Sequence, residues 1–289
     1  MDNSYAPRFD AYAATIPASP SDVLDALEGL TAGAAWDRLE RAPHGYGCGA
    51  RLVDEEGQLG QVWWGGRHTR PHASFQGDAS PAAATVLRDC FPDHSMARGD
   101  VIAFESAEPG AFDRVQAACL QVAAAQRVRV RTAGDHLLTM EGRTTYYGSP
   151  KAVVMVRQYD KAAELRAKLR DPARLALVPP ELVRFEMQLR PQGAEAKRAA
   201  ALASPAELLG SAKWLRTMLQ DVAGLQVDPF RARPLWRQSD VEGSYWWMLR
   251  QFRHVLRSKL NDAGSAACLG LQLVDDLVLI EQEDSHAKA

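Results

Sequence analysis

The segment Leu182–Arg190, with the sequence LVRFEMQLR, alternates apolar and polar side chains without a break from Val183 onward. Its odd positions are Val, Phe, Met and Leu, and its even positions are Arg, Glu, Gln and Arg. A period of two is the repeat of a β-strand, and a single apolar face means that one side of the sheet is covered. The sequence therefore predicts a strand whose polar face holds Glu186 between two arginines.

Two upstream strands place further charged groups on one face each. In Val153–Lys161 the odd positions end with Arg157, Tyr159 and Lys161. In the strand of residues 98–105, RGDVIAFE, Asp100 shares a face with Arg98. Because strand side chains alternate, each of these groups can converge with its neighbours on the same side of a sheet.

Strands and helices mix up to about residue 190, after which helix-rich, alanine-rich and leucine-rich sequence dominates. Gly45–Gly66 is typical of a hairpin, Ala111–Ala125 of a helix, and the segments His136–Met140 and Arg143–Tyr147 of two hairpin arms. The fold class expected is α+β, with a mainly antiparallel sheet and packed helices, followed by a mostly helical C-terminal region. We expect domains at 1–190 and 191–289.

The bulk composition narrows the classes of protein. A net charge of −2 gives no global basic signature, although a local basic face is compatible with it because electrostatic fields are screened within ~8–10 Å. No apolar stretch of ~18 residues is present, so we expect no membrane partner and a cytoplasmic location. The four cysteines contain no CxxC pair, which argues against zinc-finger and disulfide frameworks.

A tyrosine, a lysine, carboxylates and arginines on the polar face of a sheet fit phosphoryl-transfer chemistry. Carboxylates bind a hard cation such as Mg²⁺ or Mn²⁺, and guanidinium groups bind phosphate oxygens. A tyrosine oxygen can attack phosphorus, but its pKa of ~10 means that it needs a cation or a lysine nearby.

Three motifs in the same order resemble the trans-acting replication-initiation (Rep) family. They are GRTTYYGSPK (142–151), VRQYDKAAE (156–164) and VRFEMQLR (183–190). The family includes initiators of rolling-circle plasmids, relaxases of conjugative elements and replication proteins of filamentous phages. The resemblance covers roughly residues 70–190, and its specificity comes from the agreement of all three motifs.

The resemblance implies a rolling-circle replication initiator, an endonuclease that nicks one DNA strand at an origin. Tyr159 would be the nucleophile, forming a 5′-phosphotyrosine link and freeing a 3′-OH, and Lys161 would contact the phosphate or stabilise the tyrosinate. Glu186 and Asp100 would bind the cation, with Glu105 as a candidate third ligand. The residues expected to contact DNA are Arg143, Tyr147, Lys151, Arg157, Arg184 and Arg190.

One departure from the family pattern affects the metal ligands. The second acid of the 98–105 strand is expected at position 104, where this chain has Phe104. Glu105 follows it, on the opposite face of the strand unless a β-bulge turns it around. The chain also lacks the His-hydrophobe-His pair of the other large rolling-circle class.

Several alternatives remain open at this stage. Tyr147 and, less strongly, Tyr146 are rival nucleophiles, or aromatic groups that pack or stack on bases. Glu186 and Asp100 could form ion pairs with neighbouring arginines, and Lys161 begins a helix-like run with its own charge pairs. The competing function is a non-catalytic origin- or operator-binding protein of the same family.

The partners implied are origin DNA, double-stranded or in a hairpin, together with a host helicase and a polymerase. The aromatic, basic stretch beginning Tyr245-Trp246-Trp247 is typical of helix packing, with DNA contact or a homodimer as alternatives.

Overall fold

The computed structural model describes residues 6–30, 33–55, 57–232, 245, 248–249 and 251–286. The chain divides into two compact units, Met1–Pro234 and Leu235–Ala289. The first unit holds a ten-stranded sheet with the strand order β2-β3-β4-β5-β1-β6-β10-β9-β8-β7. Every neighbouring pair in this order is antiparallel. The expected α+β class with a mainly antiparallel sheet is confirmed.

The strands are β1 Arg8–Thr15, β2 Ala35–Arg38, β3 Cys48–Asp54, β4 Gly57–Trp64, β5 His72–Gln76, β6 Ser95–Ser106, β7 Val130–Ala133, β8 Thr144–Tyr147, β9 Val154–Asp160 and β10 Val183–Leu189. The helices of the first unit are α1 Pro20–Leu27, α2 Ala79–Cys90, α3 Ala111–Ala125, α4 Lys161–Lys168, α5 Pro172–Ala176, α6 Ala194–Leu202, α7 Pro205–Leu208 and α8 Lys213–Ala223, with a 3₁₀ turn at Leu209–Ser211. In the second unit the described helices are α9 Arg253–Ala263 and α10 Ala266–His286.

Local sequence signals explain several of these boundaries. Helix α1 begins after Ser19, whose hydroxyl accepts a hydrogen bond from the backbone N–H of Asp22 at 3.2 Å. The β3–β4 hairpin turns where the N–H of Gly57 donates to the Asp54 carboxylate at 2.9 Å. These short-range bonds satisfy backbone groups that would otherwise lack partners at an element's end.

The two faces of the sheet differ in character. One face is covered by helices that include α2, α3 and α6, and its core contains the large side chains Phe75, Phe104, Phe185 and Met187. The other face carries the polar positions of the same strands, among them Glu186 and Gln188. The apolar side chains of each strand pack under the helices, and its polar side chains lie on the opposite face, where those of β10 are also buried.

The first unit extends well beyond the boundary expected at residue 190. Helix α6 packs against β6, and α8 packs against α3. Their buried alanines and leucines belong to the main core, so the contact boundary falls near Pro234 instead. The helix-rich sequence after Arg190 therefore includes helices that pack on the sheet of the first unit as well as the helices of the second unit.

A second correction concerns the hairpin arms. Residues 136–140 form no strand, and the arm that pairs with β8 is β7. Asp135 explains the difference, because its carboxylate accepts hydrogen bonds from the backbone N–H groups of Leu137, Leu138 and Thr139. These bonds hold a turn in place of an extended segment.

In the described part of the chain no individual helix has the length and apolar content needed to cross a membrane. Only α9 and residues 266–280 of α10 meet the criteria together, and they are bent by 112° at the break between them. Trp246 and Trp247, named above as packing or binding residues, lie outside the described residues.

Candidate active site

A cleft of about 570 Å³ opens on the uncovered face of the sheet. Its floor is formed by side chains of β1, β6, β8 and β9, including Asp10, Asp100, Arg157 and Tyr159, and helix α4 forms one wall. The predicted polar faces of β6 and β9 therefore meet in one concave site, and buried polar side chains of β10 contact the residues that line it.

Strand register explains why these groups converge. On β10 and β9, Glu186 pairs with Arg157 and Arg184 pairs with Tyr159. On β10 and β6, Gln188 pairs with Asp100. Because cross-strand partners in an antiparallel pair point to the same side, the three strands present their charged groups to one face.

A β-bulge at Ala103 settles the orientation of Glu105. Ile102 pairs with Glu186 and Phe104 pairs with Phe185, so Ala103 is the extra residue of β6. The bulge moves Phe104 into the core, where its ring stacks on Phe185 with centroids 5.1 Å apart. Glu105 consequently turns to the polar face, which corrects the orientation expected from strict alternation.

The Tyr159 hydroxyl is held between a carboxylate and a guanidinium group. It donates a hydrogen bond to Oε2 of Glu186 at 3.2 Å, and Nη1 of Arg184 donates to it at 3.4 Å. Burial and then the negative charge of Glu186 raise the pKa of Tyr159 above its ordinary value, against the effect of Arg184. The phenol is therefore neutral at physiological pH and can donate its proton to Glu186.

Glu186 is fully buried and makes two contacts through its carboxylate. Oε1 accepts a charged hydrogen bond from Arg157, and Oε2 accepts the Tyr159 hydroxyl. Burial raises the pKa of the Glu186 carboxyl, and the Arg157 guanidinium opposes that shift. A carboxyl whose pKa is raised is a better proton acceptor near neutral pH than an exposed glutamate.

Asp100 is engaged by three donors and is also buried. Arg98 binds it through two nitrogens, with Nε donating to Oδ1 at 2.8 Å. Nη2 of Arg157 lies 3.5 Å from Oδ2, and Nε2 of Gln188 donates to Oδ1 at 3.2 Å. Arg157 thus joins Asp100 and Glu186 across three strands.

Arg184 anchors a second group of acids. Its Nε donates to Glu105 at 2.6 Å, its Nη1 donates to Asp10 at 2.9 Å, and its side chain is only 9% exposed. Arg8 also donates to Glu105, at 3.1 Å. Burial raises the pKa of Glu105, but Arg184 and Arg8 outweigh it and hold that pKa below its usual range.

Asp10 is a site residue that the sequence analysis missed. It is the extra residue of a bulge in β1, since Phe9 pairs with Val101 and Ala11 pairs with Asp100. The sequence feature that could have identified it is a single acidic residue in the mostly apolar strand sequence RFDAYAAT.

Lys161 begins helix α4, directly after the nucleophile candidate's strand. Its ammonium group donates to Glu164 at 3.0 Å and lies 5.9 Å from the centroid of the Tyr159 ring. Asp160 caps the helix by accepting the N–H of Ala163 at 2.9 Å. The lysine is therefore close to Tyr159 but is engaged in a charge pair along its own helix.

Carboxylate oxygens are suitable donors for Mg²⁺ or Mn²⁺, but the acids of this site are already paired. Glu186, Asp100 and Glu105 each contact at least one guanidinium group. Within the part of the chain that the structure describes, no group of three or more His, Cys, Asp or Glu side chains is placed to hold a metal ion. In this arrangement the acids do not fit a cation, and the metal site stays a prediction from sequence.

Two residues expected to contact DNA have side chains on the side of the sheet opposite the cleft. Tyr147 is completely buried, and its hydroxyl donates to Gln158 at 2.9 Å. Arg143 donates to Asp113 at 2.6 Å and stacks over Phe112, both in helix α3. Because neighbouring strand residues alternate, each lies opposite the cleft that its neighbours Tyr146 and Thr144 line.

The other residues predicted to contact DNA differ in their access to the cleft. Arg157 lines the cleft with 30% of its side chain exposed, whereas Arg184 is buried beneath it. Arg190 donates to the carbonyl of Pro150 at 2.7 Å, and Lys151 is exposed in the loop after β8. Arg157 is thus the predicted arginine with direct access to a ligand in the cleft.

Tyr146, and not Tyr147, is the tyrosine of β8 that faces the cleft. It pairs with Arg157 across β8 and β9, and it lines the cleft. The guanidinium of Arg131 lies 4.2 Å from the centroid of its ring. An aromatic ring with a cation on one face is suited to contact a base or a sugar in the cleft.

Comparison with known proteins finds a similar fold among solved structures. The fold is similar to a solved structure of a rolling circle replication initiator protein from Geobacillus stearothermophilus, with a TM-score of 0.50 and 16% identity. The match covers 76% of this chain and 97% of that one. No protein-family model matches the chain, and no curated protein matches it. The resemblance inferred from the three motifs is confirmed at the level of the fold.

Proposed function

We propose that this protein initiates rolling-circle replication by nicking one strand of an origin, with Tyr159 as the nucleophile. The observation that carries the proposal is the hydrogen bond from Tyr159 to Glu186 in a cleft that also exposes Arg157. The similarity of fold to a rolling circle replication initiator supports the same reading. The three sequence motifs support it independently.

In the proposed step the Tyr159 oxygen attacks a backbone phosphorus. The new bond joins that oxygen to phosphorus, and the bond from phosphorus to the 3′ oxygen of the preceding nucleotide breaks. Glu186 accepts the tyrosine proton, and the departing 3′ oxygen takes a proton from solvent water to give the free 3′-OH. One ester replaces another, so the 5′-phosphotyrosine link can later be attacked by a 3′-OH to rejoin the strand.

The arginines supply positive charge where negative charge develops. Arg157 faces the cleft and can bind a non-bridging phosphate oxygen, while Arg184 contacts the attacking oxygen from below. Arg98, which is 41% exposed and lines the same cleft, can bind a neighbouring phosphate. Mg²⁺ or Mn²⁺ is part of the expectation from sequence, and no step here depends on it.

The proposed reaction defines the partners. The substrate is origin DNA, in a duplex or hairpin that opens to expose one strand. A polymerase extends the free 3′-OH, and a helicase separates the strands ahead of it. A bacterial host cytoplasm is the compartment that supplies both.

The decisive experiment uses a supercoiled plasmid that carries the DNA flanking the coding sequence in its native genome. Incubation with Mg²⁺ or Mn²⁺ should give nicked circles and a covalent protein–DNA adduct that survives denaturation. Tyr159→Phe should abolish both products. Tyr146→Phe is the matched control, because it removes a hydroxyl from the same cleft without touching Glu186. The proposal fails if the wild type makes neither product.

A non-catalytic DNA-binding function is the second candidate. The observation that favours it is the pairing of Glu186, Asp100 and Glu105 with arginines, which leaves no ready set of metal ligands among the described residues. Under this alternative the wild type would retard the same plasmid fragment in a gel without forming an adduct.

A further inference from the structure

Four aromatic rings form a group on the open face, away from the Tyr159 cleft. We call Tyr46, Trp63, His68 and His72 the aromatic cluster. Tyr46 stacks on His68 with centroids 4.0 Å apart, and Trp63 stacks on His72 with centroids 5.4 Å apart and planes within 9° of parallel. Tyr46 links the two pairs, with centroid distances of 6.0 Å to Trp63 and 6.3 Å to His72.

The aromatic cluster lies on the solvent side of the sheet and not in the core. Trp63 on β4 pairs with His72 on β5. The core side chains of these strands are the alternate residues Val62, Ala73 and Phe75. His68 is exposed and the other three rings are half-buried. Aromatic rings gathered on a polar, accessible face are suited to bind a flat ligand.

The cluster is continuous with the cleft. Along β5, His72 shares its face with Ser74 and Gln76, and those two residues line the cleft that contains Tyr159. In the order of the sheet, five strand spacings separate β4 from β9, which is ~24 Å at ~4.8 Å per strand. A strand of DNA bound at Tyr159 can therefore reach the cluster by running across the same face.

Basic groups flank the rings. Arg67 and Arg70 are exposed on the segment that carries His68. Arg98, on β6, pairs with Ala13 of β1, which in turn pairs with Ser74. Exposed arginines thus lie beside the cluster, and Arg98, which is 41% exposed and also binds Asp100, lies at the cleft. Sites that bind single strands through their backbone and stack their bases have such arginines.

The histidines of the cluster are better placed to stack through their rings than to bind a metal ion. Nε2 of His68 donates a hydrogen bond to the carbonyl of His44 at 3.0 Å, and Nδ1 of His72 forms one with the Thr15 hydroxyl at 3.3 Å. Among the residues with described positions, none of the histidines joins a group able to hold a metal. Burial lowers the pKa of His72 to about 4, so its ring stays uncharged at neutral pH.

We propose that the aromatic cluster binds the nucleobases of single-stranded DNA by stacking, and that it holds the strand whose phosphate lies at Tyr159. The second half of this inference rests on the proposed function. The first half does not, because base stacking requires no nicking. Stacking accepts every base, so the cluster would hold the strand without reading its sequence.

The test measures binding of a dye-labelled oligo(dT) and of an abasic oligonucleotide of equal length, each about 16 nucleotides, by fluorescence anisotropy. The wild type should bind oligo(dT) more tightly than the abasic strand. Tyr46→Ala and Trp63→Ala should each weaken oligo(dT) binding by about tenfold or more, which is the effect of losing one stacked base. Their binding of the abasic strand should equal that of the wild type.

Tyr46→Phe and Trp63→Phe are the matched variants, because they keep a ring and should retain most of the affinity. Thermal melting of every variant shows whether it is folded. Equal binding of both oligonucleotides by the wild type overturns the inference, as does an alanine variant that binds oligo(dT) normally. Base-dependent binding without adduct formation would leave this inference standing while the proposed nicking activity fails.

Discussion

The hydroxyl of Tyr159 lies 3.2 Å from a carboxylate oxygen of Glu186, although the cross-strand partner of Tyr159 is Arg184. The contact is diagonal, between residues on neighbouring strands whose side chains lie on the same face of the sheet. A long aromatic side chain can span such a diagonal. The register of β9 and β10 therefore gives the tyrosine a base on one side and a guanidinium on the other.

The first prediction concerns this base. Glu186→Gln keeps the shape and can still accept the tyrosine hydrogen bond, but it cannot take the proton. Adduct formation should slow by about 10²–10⁴-fold, the usual contribution of a general base. Single-turnover rates between pH 5 and 9 measure it, and the wild type's dependence on an ionised carboxylate should disappear from the profile of the variant. Glu195→Gln, at an exposed position on α6 outside the cleft, is the control.

A normal rate in Glu186→Gln would show that another group removes the proton. The melting temperature of the variant must be checked, because Arg157 loses a charged partner when Glu186 is neutralised. A variant that is folded but slow supports the assignment.

The second prediction concerns the buried cation Arg184. Arg184→Met should lower the free energy of unfolding by about 3–5 kcal/mol, because Asp10 and Glu105 would lose the guanidinium that neutralises them. Arg51→Met is the control, since its pair with Asp37 is exposed and such pairs contribute about 0–1 kcal/mol. Denaturant unfolding measures both variants.

The double variant Arg184→Met/Glu105→Gln tests the cause of that loss. Removing one of the stranded charges should restore part of the stability. If the double variant is as unstable as the sum of the single variants, packing and not charge explains the effect.

The sequence was sufficient to predict which residues share a face of each strand, but not how the strands pair with one another. The alternation in β10 correctly placed Glu186 on a polar face. The bulge at Ala103 could not be read from β6 alone, because it is defined by which residues of β10 lie opposite. Glu105 therefore had two possible orientations until the pairing was known.

The same limit explains why the sequence did not show that Tyr147 faces away from the cleft or that Asp10 lines it. Alternation separates Tyr146 from Tyr147, but only the pairing of β8 with β9 shows which of them faces the cleft. Asp10 reaches the site from a strand that is distant in sequence and next to β6 only in the folded sheet. Local patterns carry no information about such long-range neighbours.

The third prediction concerns divalent cations. Arg157 occupies carboxylate oxygens of both Glu186 and Asp100, so a cation must compete with it. Without DNA, Mn²⁺ should therefore change the melting temperature of the wild type very little. Arg157→Gln removes the guanidinium that bridges the two acids, while Arg98 still binds Asp100, and Mn²⁺ should then raise the melting temperature with increasing concentration.

Adding Asp100→Asn to Arg157→Gln should remove that response, which ties it to this pair of acids. An equal Mn²⁺-dependent rise in the wild type and in Arg157→Gln would contradict the prediction. It would mean that the cation binds elsewhere or displaces the guanidinium easily.

The last prediction is a pH dependence of stability that comes from His72. Burial, with smaller contributions from the positive charges of His44, His68 and Lys197, lowers the pKa of His72 from 6.5 to about 4. Between these two values the unfolded chain binds a proton that the folded chain does not, so acidification favours unfolding. The stability is fully present above pH 6.5 and falls as the pH drops toward 4, by about 3 kcal/mol for this group.

His72→Gln should flatten that part of the curve of unfolding free energy against pH, whereas His254→Gln, at an exposed position on α9, should not. Curves for His72→Gln and wild type that run parallel between pH 6.5 and 4 would show that His72 is protonated equally well in the folded and unfolded states.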